Sequence, residues 1–164
     1  MFLKGFWSFL RGVLFIYLQV LIMPLFGIWG VSPLILLPWL IFMVWNREEV
    51  IALPVAFLVG LLYDTLNPNT FGMYAFSFIL LAILIDILRI PFEHDSLVAK
   101  GIAILSCNFV FSIFNFLGMG LSWGFETSLY RLSLIAFFYN ILFSALVFAL
   151  MQLISRLRLS IGHD

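Results

Sequence analysis

The sequence predicts an all-α, polytopic membrane protein of about six transmembrane helices with both termini cytoplasmic, and three observations predict it. The first is composition: of 164 residues, 65% are hydrophobic and only 10% charged, with a mean hydropathy of +1.20. A soluble domain carries roughly 25% charged and 45–50% apolar residues. Eight acids and eight bases cannot supply the polar surface that such a domain needs to cover its core, so the solvent is mostly lipid. The second observation is a succession of uncharged stretches near the length that a bilayer demands, roughly 20 apolar residues for about 30 Å of hydrocarbon. The third is the one-sided placement of Lys and Arg along the chain.

The stretches follow in order. Lys4 and Arg11 look like the basic start of a signal peptide, but the apolar run after Arg11 continues to about Phe26. No small-x-small cleavage site follows it, since Met23-Pro24-Leu25 does not qualify, so the first stretch (13–30) is expected to be retained as a span. Phe2, Leu3, Phe6, Trp7 and Leu10 around those two bases suggest an interfacial lead-in before it. The second stretch (31–45) is short and carries Pro33 and Pro38; the third (50–64) carries Pro54 and ends on Asp64. Each internal proline frees a carbonyl that a neighbour must satisfy, and short spans require local thinning or burial within the bundle. A re-entrant hairpin over 31–63 is the rival reading. It would bury the polar knot Asn46-Arg47-Glu48-Glu49 at depth, which favours two separate spans. The fourth stretch (71–90) has Asp86 in its last turns, the fifth is 102–119 and the sixth 132–154. Short loops join them into one transmembrane domain over 1–164, without visible repeats.

With the N-terminus cytoplasmic, the inner loops hold Lys4, Arg11, Arg47, Arg89, Lys100, Arg156 and Arg158, and only Arg131 falls outside. The inverted topology reverses that ratio, against the positive-inside rule. Trp29, Trp45 and Trp123, near expected span ends, are expected as interfacial anchors. The formal net charge is zero and there is no basic tail, so nothing points to a nucleic-acid partner. The single cysteine, Cys107, rules out an internal disulfide and a multi-cysteine metal site.

Few groups are able to carry chemistry. Asp64 precedes the most turn-like stretch of the chain, with Asn67, Pro68, Asn69 and Gly72. It is expected to fix that turn or cap the next helix, the alternative being a functional or partner-binding role. Gly60, one helical turn earlier, lets another backbone approach closely. Asp86 and Arg89 share a helical face and are expected to form a local ion pair near the cytoplasmic end; the sharper alternative is a proton or ligand site. Asn108, Ser112 and Asn115 stripe the fifth stretch, as Ser133, Asn140 and Ser144 stripe the sixth. Unpaired amides in lipid cost several kcal/mol on the order of transfer estimates, so both stripes are expected to face other helices, with a substrate cavity as the alternative. Gln19 in the first stretch reads the same way. Gly118, Gly120, Trp123, Gly124, Glu126 and Arg131 are placed in the longest outer loop. His94, in Phe92-Glu93-His94-Asp95, and His163 lack metal-ligand spacing. There is no nucleophile–base set and no phosphate-cradling loop, so neither enzyme activity nor a cofactor is expected.

Gly60-x3-Asp64, followed by a short polar turn, Gly72 and Ala75, resembles the G-x3-D…G segment of the MreD family of bacterial rod-shape-determining membrane proteins. Small size, about six spans and a basic cytoplasmic rim extend the likeness over the whole chain. The resemblance implies a multi-pass protein of the bacterial inner (cytoplasmic) membrane that regulates lateral-wall peptidoglycan synthesis in the elongation complex, or elongasome. It implies a bitopic MreC-like partner and, indirectly, MreB, RodA and a class B penicillin-binding protein, besides membrane lipid. It also implies a fold similar to the S-components of energy-coupling-factor transporters. That makes a vitamin-type substrate-binding subunit the alternative function, with a cavity on the outer half lined by Trp123, Asn115 or Asn140.

Overall fold

Prolines and glycines decide where the helices of this chain begin and break. In the computed structural model, residues 2–66, 68–90 and 96–161 are described, with backbone alone for 2, 69 and 156–161. Asn67, the Glu93-His94-Asp95 loop and His163 therefore lie outside the described residues, as do the side chains of Phe2, Asn69, Arg156 and Arg158. Six α-helices carry the described fold: α1 (Phe2–Leu21), α2 (Leu36–Trp45), α3 (Glu49–Asp64), α4 (Met73–Arg89), α5 (Leu97–Trp123) and α6 (Thr127–Ile161).

The first helix starts earlier and stops earlier than the expected span of 13–30. The Phe2–Leu10 lead-in is continuous with it in one 20-residue helix, about 30 Å long. The chain then leaves α-helical geometry because Pro24 enters a 3-10 turn, Met23–Phe26. Trp29 and Gly30 both take positive φ (51° and 81°) in a two-residue turn closed by hydrogen bonds in both directions between Ile28 and Val31. Pro33 disfavours helix at the preceding Ser32, and helix resumes only at Leu36, with Pro38 in its first turn, where a missing N–H costs nothing. The second apolar stretch is thus not one continuous helix. Its helical part is 10 residues, about 15 Å or half a hydrocarbon core.

That short helix is the centre of the molecule. Leu36, Leu37, Leu40 and Ile41 are fully buried, and α1, α3, α4, α5 and α6 all pack against α2. Trp45, expected at an interface, is 1% exposed, because it lies at the end of this central helix. Trp29 and Trp123 are exposed. Close approach is built in: a Cβ on Gly12 of α1 would overlap Val59 of α3 and Trp39 of α2.

The expected outer loop of 118–131 is mostly helix. α5 runs on to Trp123 because Gly118 and Gly120 are packing positions, against Met73 and Phe125. Gly124 (φ 92°) then ends the helix, and α6 begins three residues later. At its other end α5 is capped by Ser96, whose Oγ accepts from the Ala99 N–H at 3.3 Å.

Shared cavities fix the helix directions. Arg11, Asn46, Arg47 and Ser155 line one cavity, so α1 begins where α2 and α6 end. Gly30, Tyr63, Tyr74, Met119 and Leu129 line another, gathering the opposite ends of α1, α3, α4, α5 and α6. The helices form an up-and-down bundle with a basic end and an opposite, turn-rich end. Among the described residues two helices are long and apolar enough by themselves to cross a bilayer, Leu97–Trp123 and Thr127–Ser155. Of the most apolar part of the latter, only 11% is buried, so its apolar surface faces outward, as lipid solvent requires.

Candidate functional site

The motif singled out in the sequence is assembled in space by the α3–α4 hairpin, the most extensive helix pairing in the bundle. Gly60 lies against the backbone of Ala75, where a Cβ would come within 2.6 Å of the Ala75 Cα and 2.9 Å of its N. Because the two helices touch there, Asp64, one turn further along α3, reaches the first turn of α4. Its Oδ1 accepts from the Tyr74 N–H at 3.0 Å and its Oδ2 from the Ala75 N–H at 2.9 Å. These are donors that a helix N-terminus leaves unsatisfied, and the positive end of the helix dipole meets the carboxylate. The residue before α4 is Gly72, with φ 89°, a left-handed conformation that favours glycine. Asp64 is fully buried. Tyr63 and Tyr74 stack edge-on beside it at 4.7 Å. The structure therefore brings Gly60, Asp64, Gly72 and Ala75 into one clamp.

Arg89 and Asp86 sit at the basic end. Arg89 Nη2 lies 2.5 Å from Asp86 Oδ1, but no directed hydrogen bond reaches that oxygen. The contact is charge pairing. The directed bonds run from Nη1 to the carbonyl oxygens of Val44 (3.1 Å) and Arg47 (2.9 Å). Arg89 thus caps the C-terminal end of α2, where a cation is favoured. The i,i+3 spacing gave the pair; the cap on α2, 42 to 45 residues away, has no local signal.

The two polar stripes divide. Asn108 and Ser144 meet: Ser144 Oγ donates to Asn108 Oδ1 at 3.4 Å, and Asn108 Nδ2 donates back to the Ile104 carbonyl. Asn140 instead accepts from the Leu34 N–H at 3.0 Å. Gln19 makes two bonds to the same irregular strand of chain: Nε2 donates to the Pro33 carbonyl and Oε1 accepts from the Ile35 N–H at 2.8 Å. Tyr139 Oη donates to the Phe26 carbonyl. Buried backbone groups outside regular helix need partners, and Gln19, Asn140 and Tyr139 supply them for the break between α1 and α2. Ser112 is half-buried. Asn115 joins Asn140, Ser133, Tyr63 and Tyr74 around a cavity of about 240 Å³ at the turn-rich end, and with Trp123 it borders a second of about 280 Å³.

A different surface lies on the side of the bundle. Between α1 and α3, Phe6, Phe9, Val50, Pro54 and Leu58 line an open apolar groove of about 520 Å³, with Gly5 at its edge. Pro54 has no N–H, so the Val50 carbonyl there lacks its helical donor. Sequence reasoning did not find this groove, although Pro54 was its signal.

Residues 2–154 match the family model described as rod shape-determining protein MreD. The chain belongs to the MreD family. An MreD protein is a membrane protein with a role in determining rod shape, and the all-helical bundle with two long apolar helices fits that setting. MreD is a shape-determining family and is not known as a family of enzymes. No curated protein and no solved structure matches the chain.

Proposed function

We propose that this MreD protein is a non-enzymatic scaffold of the cell-elongation complex that holds the transmembrane helix of an MreC-like bitopic protein in the groove between α1 and α3. The observation that carries the reading is the groove itself: an apolar lateral cleft lined by Gly5, Phe6, Phe9, Pro54 and Leu58. In lipid there is no hydrophobic drive between helices, so association rests on close packing and a few hydrogen bonds. The groove supplies an apolar packing surface with a small residue, Gly5, in its lining. The Asp64 clamp keeps α3 and α4 together as one wall, and the central α2 gives the wall a rigid backing.

In this reading the chain is a multi-pass protein of the bacterial inner membrane, with six membrane-entering segments and the basic end cytoplasmic. α1, α3, α4, α5 and α6 cross, and the non-helical 31–35 together with α2 makes a broken sixth crossing. Through the MreC-like partner it acts on MreB, RodA and a class B penicillin-binding protein, and so on lateral-wall peptidoglycan synthesis. Depletion is expected to round the cells, and the tagged protein is expected to co-purify the MreC-like partner. Normal shape after depletion, with no such partner recovered, refutes the proposal.

One observation favours a second reading. The cavity bordered by Asn115 and Asn140 supports a vitamin-type substrate-binding subunit, with a fold like that of energy-coupling-factor S-components, because its mixed polar and apolar lining offers a small ligand hydrogen bonds. Its uncharged lining and small volume suit a neutral polar molecule. A small molecule released from the purified protein on denaturation, and absent from an Asn115→Leu variant, would establish that reading in place of the first.

A further inference from the structure

The basic end of the bundle holds a cavity of about 290 Å³ between α1, α2 and α6 that neither the clamp nor the groove uses. Two arginines line it: Arg11, exposed on α1, and Arg47, half-buried just after α2. Among the described residues neither guanidinium has a carboxylate partner, whereas Arg89 at this end is paired with Asp86. No acidic side chain among the described residues lines the cavity. Three small polar groups join the arginines, Ser8 (3% exposed), Asn46 and Ser155, while Trp39 lies among the apolar lining. Beyond Ser155 the sequence of α6 adds Arg156 and Arg158.

Two unpaired guanidinium groups with hydroxyl donors form a site for a tetrahedral oxyanion, which they bind by charge-assisted, paired hydrogen bonds. The apolar side of the same cavity suits the first carbons of an acyl chain. We propose that this cavity binds the phosphate of an anionic phospholipid, with Arg11 and Arg47 on the headgroup and the glycerol and acyl carbons against Trp39. Basic pockets between transmembrane helices hold such headgroups on the cytoplasmic side. The proposal needs only a bilayer around the chain and is independent of any protein partner, so it stands or falls separately from the scaffold reading.

The test uses the full chain in neutral detergent, with native mass spectrometry against phosphatidylglycerol and phosphatidylcholine of identical acyl chains. The wild-type protein is expected to retain phosphatidylglycerol about tenfold over phosphatidylcholine, as two basic residues near a headgroup allow. R11Q/R47Q is expected to bring the two lipids to parity, R11K/R47K to keep most of the preference, and R131Q, at the opposite end, to keep all of it. Arg11 is exposed, so if the double variant misfolds, R11Q alone carries the test with a loss of about threefold. Inorganic phosphate at millimolar concentration is expected to leave the lipid bound. Parity in the wild type, an undiminished preference in R11Q/R47Q, or an equal loss in R131Q overturns the proposal. Displacement by phosphate alone overturns the lipid source in favour of a soluble oxyanion. An acidic protein segment found on these arginines in place of lipid overturns it too.

Discussion

Asp64→Ala removes both acceptors from the first turn of α4. The carboxylate makes two hydrogen bonds, at 3.0 and 2.9 Å, to backbone amides of Tyr74 and Ala75. A bond to a charged group contributes about 1.5–3 kcal/mol, so the pair amounts to about 3–6 kcal/mol. Burying the carboxylate costs part of that, because Asp64 is fully desolvated, which leaves a net destabilisation of about 2–4 kcal/mol. At about 2–4 °C per kcal/mol for a chain of this size, the melting temperature falls by about 4–16 °C. Asp64→Asn keeps one acceptor and turns its NH2 against the other donor, so it should fall between wild type and alanine. The assay is thermal unfolding in detergent, paired with amide exchange at residues 72–78. Exchange in that first turn should rise in both variants while the α5–α6 contact stays protected. A melting temperature for Asp64→Ala within about 2 °C of wild type, with unchanged exchange at Tyr74 and Ala75, would show that the clamp does not hold the hairpin.

Three further outcomes follow from the same geometry. Gly60→Ala puts a methyl group 2.6 Å from the Ala75 Cα; because that neighbour is backbone, the overlap should cost about 1–3 kcal/mol, and a melting temperature equal to wild type would refute the close approach. Gln19→Leu strips two bonds from the break between α1 and α2 and leaves a buried carbonyl and N–H unpaired, at about 1–3 kcal/mol; protease nicking of 27–35 should rise in Gln19→Leu and rise further with Asn140→Leu. Arg89→Met removes the cap on α2 and leaves Asp86 without its cation; exchange at residues 43–47 should increase, whereas Asp86→Asn, which keeps the cap donor, should change it far less.

Much of this architecture was legible from one-dimensional pattern, and the failures share a cause. Long uncharged runs gave the number of helices and the approximate places of α3, α4, α5 and α6. The Gly60-x3-Asp64 spacing located the hairpin clamp, because its parts lie close in sequence and its chemistry is local. The facing of Asn108 and Ser144 followed from the cost of a polar group in lipid. The short α2 was not legible, since an apolar run of 15 residues looks the same whether it crosses lipid or fills a bundle; only Pro33 and Pro38 hinted that helix would begin late. Gly118 and Gly120 looked like loop residues because glycine breaks helices in water, yet inside the bundle they admit Met73 of α4 and Phe125 of the α5–α6 turn. Gln19, Asn140 and Arg89 act on backbone groups 14 to 106 residues away, and no local spacing encodes such a partner.

The central claim is that the groove between α1 and α3 holds a partner's membrane helix. A photo-crosslinking residue in place of Leu58, on the groove, tests it in intact membranes against the same residue in place of Leu142, exposed on α6. The account predicts a strong adduct to the transmembrane segment of the MreC-like protein from position 58 and little from position 142. Adducts to lipid alone from position 58, or an equal or stronger protein adduct from position 142, would contradict it.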